Sequence, residues 1–253
     1  MGRISSMTDN HPGFIRRCIR GLFGVYAWLV FGLALLFSIL IAIAVPGQER
    51  RRQLVAGTAR SIFVLTGMRP KIHGLDKLPA EHCIVVANHA SYVDGVILKA
   101  YLPPRFSFVI KGEMRGIPII HFMLRRAGSK FVERYQPAGS SRDARTIVKA
   151  AQDGQSLAIF PEGTFALQAG VGRFRPGAFV AAIKGNLPIV PIAIFGTRGM
   201  MPSGRMMPYP VPLAIEILQP IKPGDPAFGD NRTLAEAARQ QILAVLGEPD
   251  LVE

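Results

Sequence analysis

Acidic residues are scarce in this 253-residue chain, with 17 Asp and Glu against 30 Lys and Arg, a formal charge of +13. Such a surplus asks for an anionic partner: nucleic acid, anionic lipid or a phosphorylated ligand. Cysteine is scarcer still. Two residues, Cys18 and Cys83, exclude a disulfide framework and a Cys-rich zinc site. Cys18 lies in a basic arm and Cys83 opens an apolar run, which suits a reducing compartment. His73, His82, His89 and His121 lack the i, i+4 spacing of helical zinc motifs, so no metal is expected. The three outside the motif below, His73, His82 and His121, read as ordinary surface or core residues. Phosphate-loop and Gly-x-Gly-x-x-Gly patterns are absent too, which removes the commonest nucleotide-binding signatures. Charged residues make up only 19% and hydrophobic residues 49%, which excludes disorder.

What the chain has in quantity is one long apolar run. Leu22 to Val45 is 24 positions without a charge. At ~1.5 Å per residue such a helix is about 36 Å long, enough for a ~30 Å hydrocarbon core. Arg16, Arg17 and Arg20 precede it; Pro46 and Gly47 end it, and Glu49 with Arg50, Arg51 and Arg52 follow. Both flanks are basic, so the positive-inside rule gives no direction for a single span. A helix that dips in and returns satisfies both flanks, and residues 52–68 read as a second, amphipathic helix at the interface. We therefore expect a membrane-anchoring helical hairpin over residues 1–68, its arginines on anionic headgroups, and a separate domain over 69–253. A cleaved signal peptide is disfavoured because the run exceeds the usual ~7–15 residue core.

Beyond residue 69 the pattern changes to short apolar runs broken by Gly and Pro. Strand-like runs lie at 83–88, 106–110, 130–133, 156–160, 188–194 and 213–218. Several are continuous Val/Ile/Leu, as in strands buried on both faces. Helical stretches at 91–101, 117–126, 140–152, 176–184 and 233–246 alternate with them, with Pro176 at a first turn and Gly185 just past an end. This alternation predicts an α/β fold with a mainly parallel central sheet and flanking helices. Residues 201–212 read as a loop, whose Met201, Met206 and Met207, with Met200 before it, either face lipid or simply pack.

The most informative segment is CIVVANHASYVD, residues 83–94. A buried strand runs into Asn88-His89 and a helix begins near Ser91, so His89 falls where open α/β sheets bind ligands. His89 and Asp94 can meet only if His89 lies in the turn and Asp94 in the first helical turn, with Ser91 as N-cap. Ser91-x-x-Asp94 equally fits a capping box. IFPEGTF, residues 159–165, brings Glu162, Gly163 and Thr164 to a second strand end. Lys111 and Glu113 follow a third, and Arg134 a fourth.

Taken together, these blocks resemble the glycerolipid acyltransferases. NHASYVD at 88–94 is similar to that family's His-(four residues)-Asp signature, and FPEGT at 160–164 to its Glu-Gly-Thr block. Lys111-x-Glu113 with Pro118, ending in Gly128 through Phe131-Val132-Glu133-Arg134, resembles the second block, and Ile189-Val190-Pro191-Ile192 the fourth. The likeness spans residues 70 to 220. It implies an O-acyltransferase on the cytoplasmic side of a membrane, the inner one if the cell is bacterial. The reaction it implies moves a fatty acyl group from a thioester donor, acyl-CoA or acyl carrier protein, to a lysoglycerolipid hydroxyl, without a cofactor. It implies lysophosphatidate as acceptor, with His89 as general base oriented by Asp94. Lys111, Glu113, Arg134, Glu162, Gly163 and Thr164 would then bind substrate. Glu162 either takes acceptor hydroxyls or holds its loop, and backbone N–H groups near Gly163 or after His89 would hold the oxyanion.

One position departs from the pattern. Phosphatidate-forming members carry arginine after Glu-Gly-Thr, and here that residue is Phe165. Arg173 and Arg175 would supply the missing charge, or the acceptor is another lysolipid, such as a lyso-ornithine lipid or a lysophospholipid with a capped headgroup. Two further classes stay open: a membrane-anchored basic module that binds nucleic acid or anionic lipid without catalysis, and a membrane-bound thioesterase. The densest basic cluster, Arg50–Arg52, abuts the apolar run as juxtamembrane anchors do, which favours lipid over nucleic acid.

Overall fold

The computed structural model describes residues 14–132, 137–164 and 168–252. Its strands are β1 (Lys71–His73), β2 (Ile84–Ala87), β3 (Ser107–Lys111), β4 (Lys130–Val132), β5 (Leu157–Ile159), β6 (Ile189–Phe195) and β7 (Ala214–Ile217). They form a sheet in the order β1-β7-β6-β2-β5-β3-β4. From β6 to β4 every neighbouring pair is parallel. β7 runs antiparallel to β6, and β1 is parallel to β7, so the two form a reversed edge. The fold is α/β with a mainly parallel sheet, as the continuous Val/Ile runs predict.

Helices cover both faces: α1 (Phe14–Ala44), α2 (Gln48–Leu65), α3 (Asp94–Tyr101), α4 (Pro118–Arg126), α5 (Pro137–Gln152), α6 (Gly177–Gly185), α7 (Thr197–Met200) and α8 (Asn231–Leu246). On one face Val85, Ala87, Val190 and Ile192 pack with Ile97 and Leu98 of α3, Phe63 of α2, and Val30 and Ala34 of α1. On the other, Ile84, Val86, Leu157 and Ile189 pack with Ala151 of α5, Phe179 of α6, and Leu234 and Ile242 of α8. Alternate side chains of β2 thus feed opposite cores, which is why that strand has no polar position.

α1 begins at Phe14, well before the charge-free run, and takes in the arginines that precede it. From Arg17 to Ala44 it is long and apolar enough to cross a membrane. Pro46 removes a helical donor and Gly47, at φ 77°, turns the chain back. α2 then returns along α1: the Tyr26 hydroxyl donates to the Leu65 carbonyl at 3.0 Å, and the Ser38 and Thr58 hydroxyls lie 2.7 Å apart. The expected apolar stripe of this second helix is turned to protein, with Val55, Ala59, Ile62 and Phe63 buried. Its arginines also differ from expectation. Arg51 donates to the Val45 and Arg126 carbonyls at 2.9 and 3.0 Å, and Arg52 to the Ala127 carbonyl and the Ser107 hydroxyl at 3.2 and 2.6 Å. Carbonyls at helix ends lack intrahelical donors, and these side chains supply them. Of the cluster taken for headgroup binding, only Arg50 is exposed.

The methionine loop also holds α1. Trp28 Nε1 donates to the Met206 carbonyl at 2.8 Å. The Tyr209 ring lies under Arg20 at 5.3 Å and Arg205 at 4.1 Å. Met200 and Met201 are buried and Met206 is exposed. Gly185 closes α6 rather than following it. Its missing side chain lets Ala151 approach, since a Cβ there would sit 2.9 Å from that residue, and Asn186 takes the left-handed cap at φ 50°.

Candidate active site

Parallel strands deliver their loops to one edge, and β2, β5, β3 and β4 are consecutive in the sheet. The turn after β2, the Pro161–Thr164 segment after β5 and Lys111 at the end of β3 therefore share that edge. Glu113 follows in a 3-10 turn, Gly112–Gly116. Arg134 and Phe165 lie outside the described residues.

His89 sits in the turn and Asp94 is the first residue of α3. Ser91 is not the N-cap; helical hydrogen bonding starts later, with Val93 preceding α3. Ser91 instead donates its hydroxyl to the Met201 carbonyl at 2.6 Å and accepts from the Val93 N–H at 3.3 Å. That shift puts Asp94 within reach of the imidazole, with His89 Nδ1 2.9 Å from Asp94 Oδ2. The same oxygen accepts the N–H groups of Ala90 and Ser91 at 2.6 and 2.8 Å. Both roles open for Asp94 are thus realised together: it ties the turn and meets the histidine. A carboxylate is an acceptor only, so the pair fixes the imidazole hydrogen on Nδ1. Asp94 is fully buried and its Oδ1 has no hydrogen-bond partner among the described residues, while His89 keeps 18% side-chain exposure. The Phe160 ring stacks on the imidazole with centroids 4.3 Å apart.

Glu162 reaches across from the β5 loop. Its Oε1 accepts the His89 N–H at 2.8 Å and its Oε2 the Gly172 N–H at 2.9 Å. Of the two roles open for Glu162, this geometry supplies loop holding directly. Burial pushes its carboxyl above the usual range, against the two N–H bonds and the charge of nearby Arg198. Gly163 is buried at φ 83°, a conformation that favours glycine, and Thr164 is exposed.

The expected oxyanion donors are otherwise engaged. The N–H groups of His89, Ala90 and Ser91 serve the two carboxylates, and that of Gly163 donates to the Phe160 carbonyl at 3.1 Å. Arg173 and Arg175 are exposed on the segment that starts at Gly172, and the Arg175 N–H donates to the Pro161 carbonyl at 2.9 Å. That backbone therefore runs beside Pro161–Thr164.

Sequence reasoning missed two supports of the turn. Asn88 is buried and bridges to β6, donating from Nδ2 to the Ile194 carbonyl at 3.1 Å and accepting the Ile194 N–H on Oδ1 at 2.8 Å. Phe160 lies inside the quoted Glu-Gly-Thr block, yet its place under His89 depends on β5 pairing with β2. Cys83 is buried just before β2 rather than inside the strand, and this burial pushes its thiol up to about 11 and makes it a poor nucleophile. Among the described residues no group of three His, Cys, Asp or Glu is placed to hold a metal.

The profile of the Acyltransferase family matches residues 69–195. The chain is 30% identical to the chloroplastic 1-acyl-sn-glycerol-3-phosphate acyltransferase of Brassica napus over 62% of this chain and 46% of that protein. It is 29% identical to the 1-acyl-sn-glycerol-3-phosphate acyltransferase of Pseudomonas aeruginosa over 62% of each. The chain spans about half the length of the first curated relatives it matches, 46% and 54%. The crystal structure of the 1-acyl-sn-glycerophosphate (LPA) acyltransferase PlsC from Thermotoga maritima superposes with a TM-score of 0.75 at 22% identity, over 90% of this chain and 94% of that one. The likeness to that structure concerns the fold.

Proposed function

This chain belongs to the acyltransferase family, and on that premise we propose that it transfers a fatty acyl group from a thioester donor to the free hydroxyl of lysophosphatidate, giving phosphatidate. The observation that carries the reading is the 2.9 Å contact of His89 Nδ1 with buried Asp94 at the edge where five parallel strands end. With the hydrogen held on Nδ1, the Nε2 lone pair is the base. As the acceptor oxygen attacks the thioester carbon, Nε2 takes the hydroxyl proton and Asp94 stabilises the imidazolium. Collapse of the tetrahedral intermediate breaks the C–S bond, and the imidazolium returns its proton to the departing thiolate. No covalent acyl-enzyme is needed.

Lys111, at the end of β3, and Arg134, which follows the β4 run in sequence, would meet the acceptor's anionic headgroup, and Glu113 would bind another part of the substrate. Arg173 and Arg175, exposed beside Pro161–Thr164, take the place of the arginine that Phe165 replaces. That replacement also keeps a second reading in play, an acceptor whose phosphate is capped or absent.

The membrane seat follows from α1. Arg20 and Ala42, about 33 Å apart along the helix, both touch the enzyme body, through Tyr209 and through Arg126, which donates to the Ala42 carbonyl at 2.9 Å. A perpendicular crossing would drag Arg52, Arg60 and Arg205 into hydrocarbon. We propose that α1 lies in the plane of one leaflet with its outer face in lipid, and that the catalytic edge is on the cytoplasmic side.

The test is product analysis by mass spectrometry, offering purified membranes a panel of lysolipids with acyl-CoA or acyl carrier protein. Selective phosphatidate formation is expected, with His89→Ala and Asp94→Asn each lowering the rate by ~10²–10⁴. Near-normal transfer by both variants refutes the mechanism, and selective use of a capped lysolipid refutes the acceptor.

A further inference from the structure

α4 lacks protein cover on one side. In its sequence PIIHFMLRR, Met123 is buried, whereas Ile119 is 62% exposed and Phe122 37%. Three residues apart on a helix, the two share a face, and Ile117 extends it at the preceding turn. Cations rim this patch. Arg125 is exposed in the last turn, and Arg115 is fixed at the other end, donating to the Phe131 carbonyl at 3.1 Å with its guanidinium 5.8 Å from the Phe131 ring. The neighbouring Arg126 donates to the Ala42 carbonyl of α1. α4 therefore abuts the end of α1 where Phe37, Leu40 and Ile43 are exposed. The uncovered apolar surface of the long helix continues onto α4.

We infer that this face of α4 is a second lipid contact, in which Ile117, Ile119 and Phe122 enter the interfacial region of the bilayer while Arg115 and Arg125 meet anionic headgroups. Apolar residues on one face with arginines at its margins are what an interfacial helix requires. A protein partner would also cover apolar side chains, but continuity with the outer face of α1 favours lipid. The inference rests on the in-plane seat of α1 and adds a contact that α1 and α2 do not supply. It also has a use. α4 follows the Gly112–Gly116 turn, so lipid contact there brings this turn after β3 to the membrane surface, where a lysolipid headgroup resides.

The experiment places an indole on the patch, Ile119→Trp, in the full chain, with vesicles of phosphatidylcholine and phosphatidylglycerol carrying bromine on the acyl chains near the headgroup. Wild-type fluorescence, from Trp28 alone, is subtracted, and flotation reports whether each protein binds. The expected result is flotation of both proteins, with a blue shift and bromine quenching of the added indole. Flotation of both without quenching overturns the α4 contact and leaves the α1 seat standing. Failure of the wild type to float overturns both. A blue shift without vesicles that grows with protein concentration identifies a second copy as the partner and also overturns the inference.

Discussion

At the scale of single residues, Lys99 is the clearest misfit. On α3 it points over the Phe108 ring, its nitrogen 5.6 Å from the centroid. Burial brings its ammonium down to about 8 from the ordinary 10.5, with repulsion from Arg52 adding to the effect. The folded value is the lower one, so between pH 8 and 10.5 the native chain holds fewer protons than the unfolded chain, and stability rises with pH across that window. Below pH 8 the full cost of the buried charge remains. Lys99→Met, which keeps the length and removes the charge, is expected to stabilise the fold at pH 7 by about 1–3 kcal/mol. The gain should shrink to nothing above pH 10.5, and denaturant melts at pH 7 and in the alkaline range measure it. An equal gain at both ends would contradict the assignment. His89 and Asp94 were legible at this scale because they are five positions apart and a strand-to-helix turn dictates their geometry. Arg51, Arg52 and Arg126 were not. Charge beside an apolar run reads as headgroup binding, and nothing in the sequence reveals which carbonyls fold back to meet them.

At the scale of elements, the His89 turn is built from three separate pieces of chain. β2 provides its base, the β5 loop sends Glu162, and the Gly170–Gly172 segment closes the arrangement through one N–H. Glu162→Gln tests this tie. An amide offers one acceptor oxygen and presents donors to the other N–H, leaving either His89 or Gly172 facing hydrogen. A loss of about 1–3 kcal/mol is expected, measured by chemical denaturation, together with slower acyl transfer. Full stability and rate would show that the tie is dispensable. The strands of the central sheet were readable from their unbroken apolar runs. β1 was not, because three residues with Lys71 and His73 exposed leave only Ile72 as an apolar signal. The start of α3 was read early because Ser91 is a good cap by composition, whereas its hydroxyl is used by Met201 more than a hundred positions away.

At the scale of the whole molecule, the amino-terminal helices and the sheet share one interior. Phe63 is completely buried, and Ile62, Met68, Val30 and Ala34 belong to the same cluster as Val85 and Ile97. The change of composition near residue 69 was legible, but its meaning was not, since helix-to-sheet packing depends on contacts a linear pattern cannot display. Removal of residues 1–68 is therefore expected to open this core, giving a product that aggregates on size-exclusion chromatography and lacks near-UV circular dichroism. A monodisperse, folded 69–253 fragment would contradict the shared core. For handling the intact protein the consequence is practical. With the long helix in lipid as proposed, a surfactant strong enough to strip that lipid also competes for the side chains through which the helix grips the sheet, so extraction efficiency and loss of near-UV circular dichroism should rise together along a detergent series.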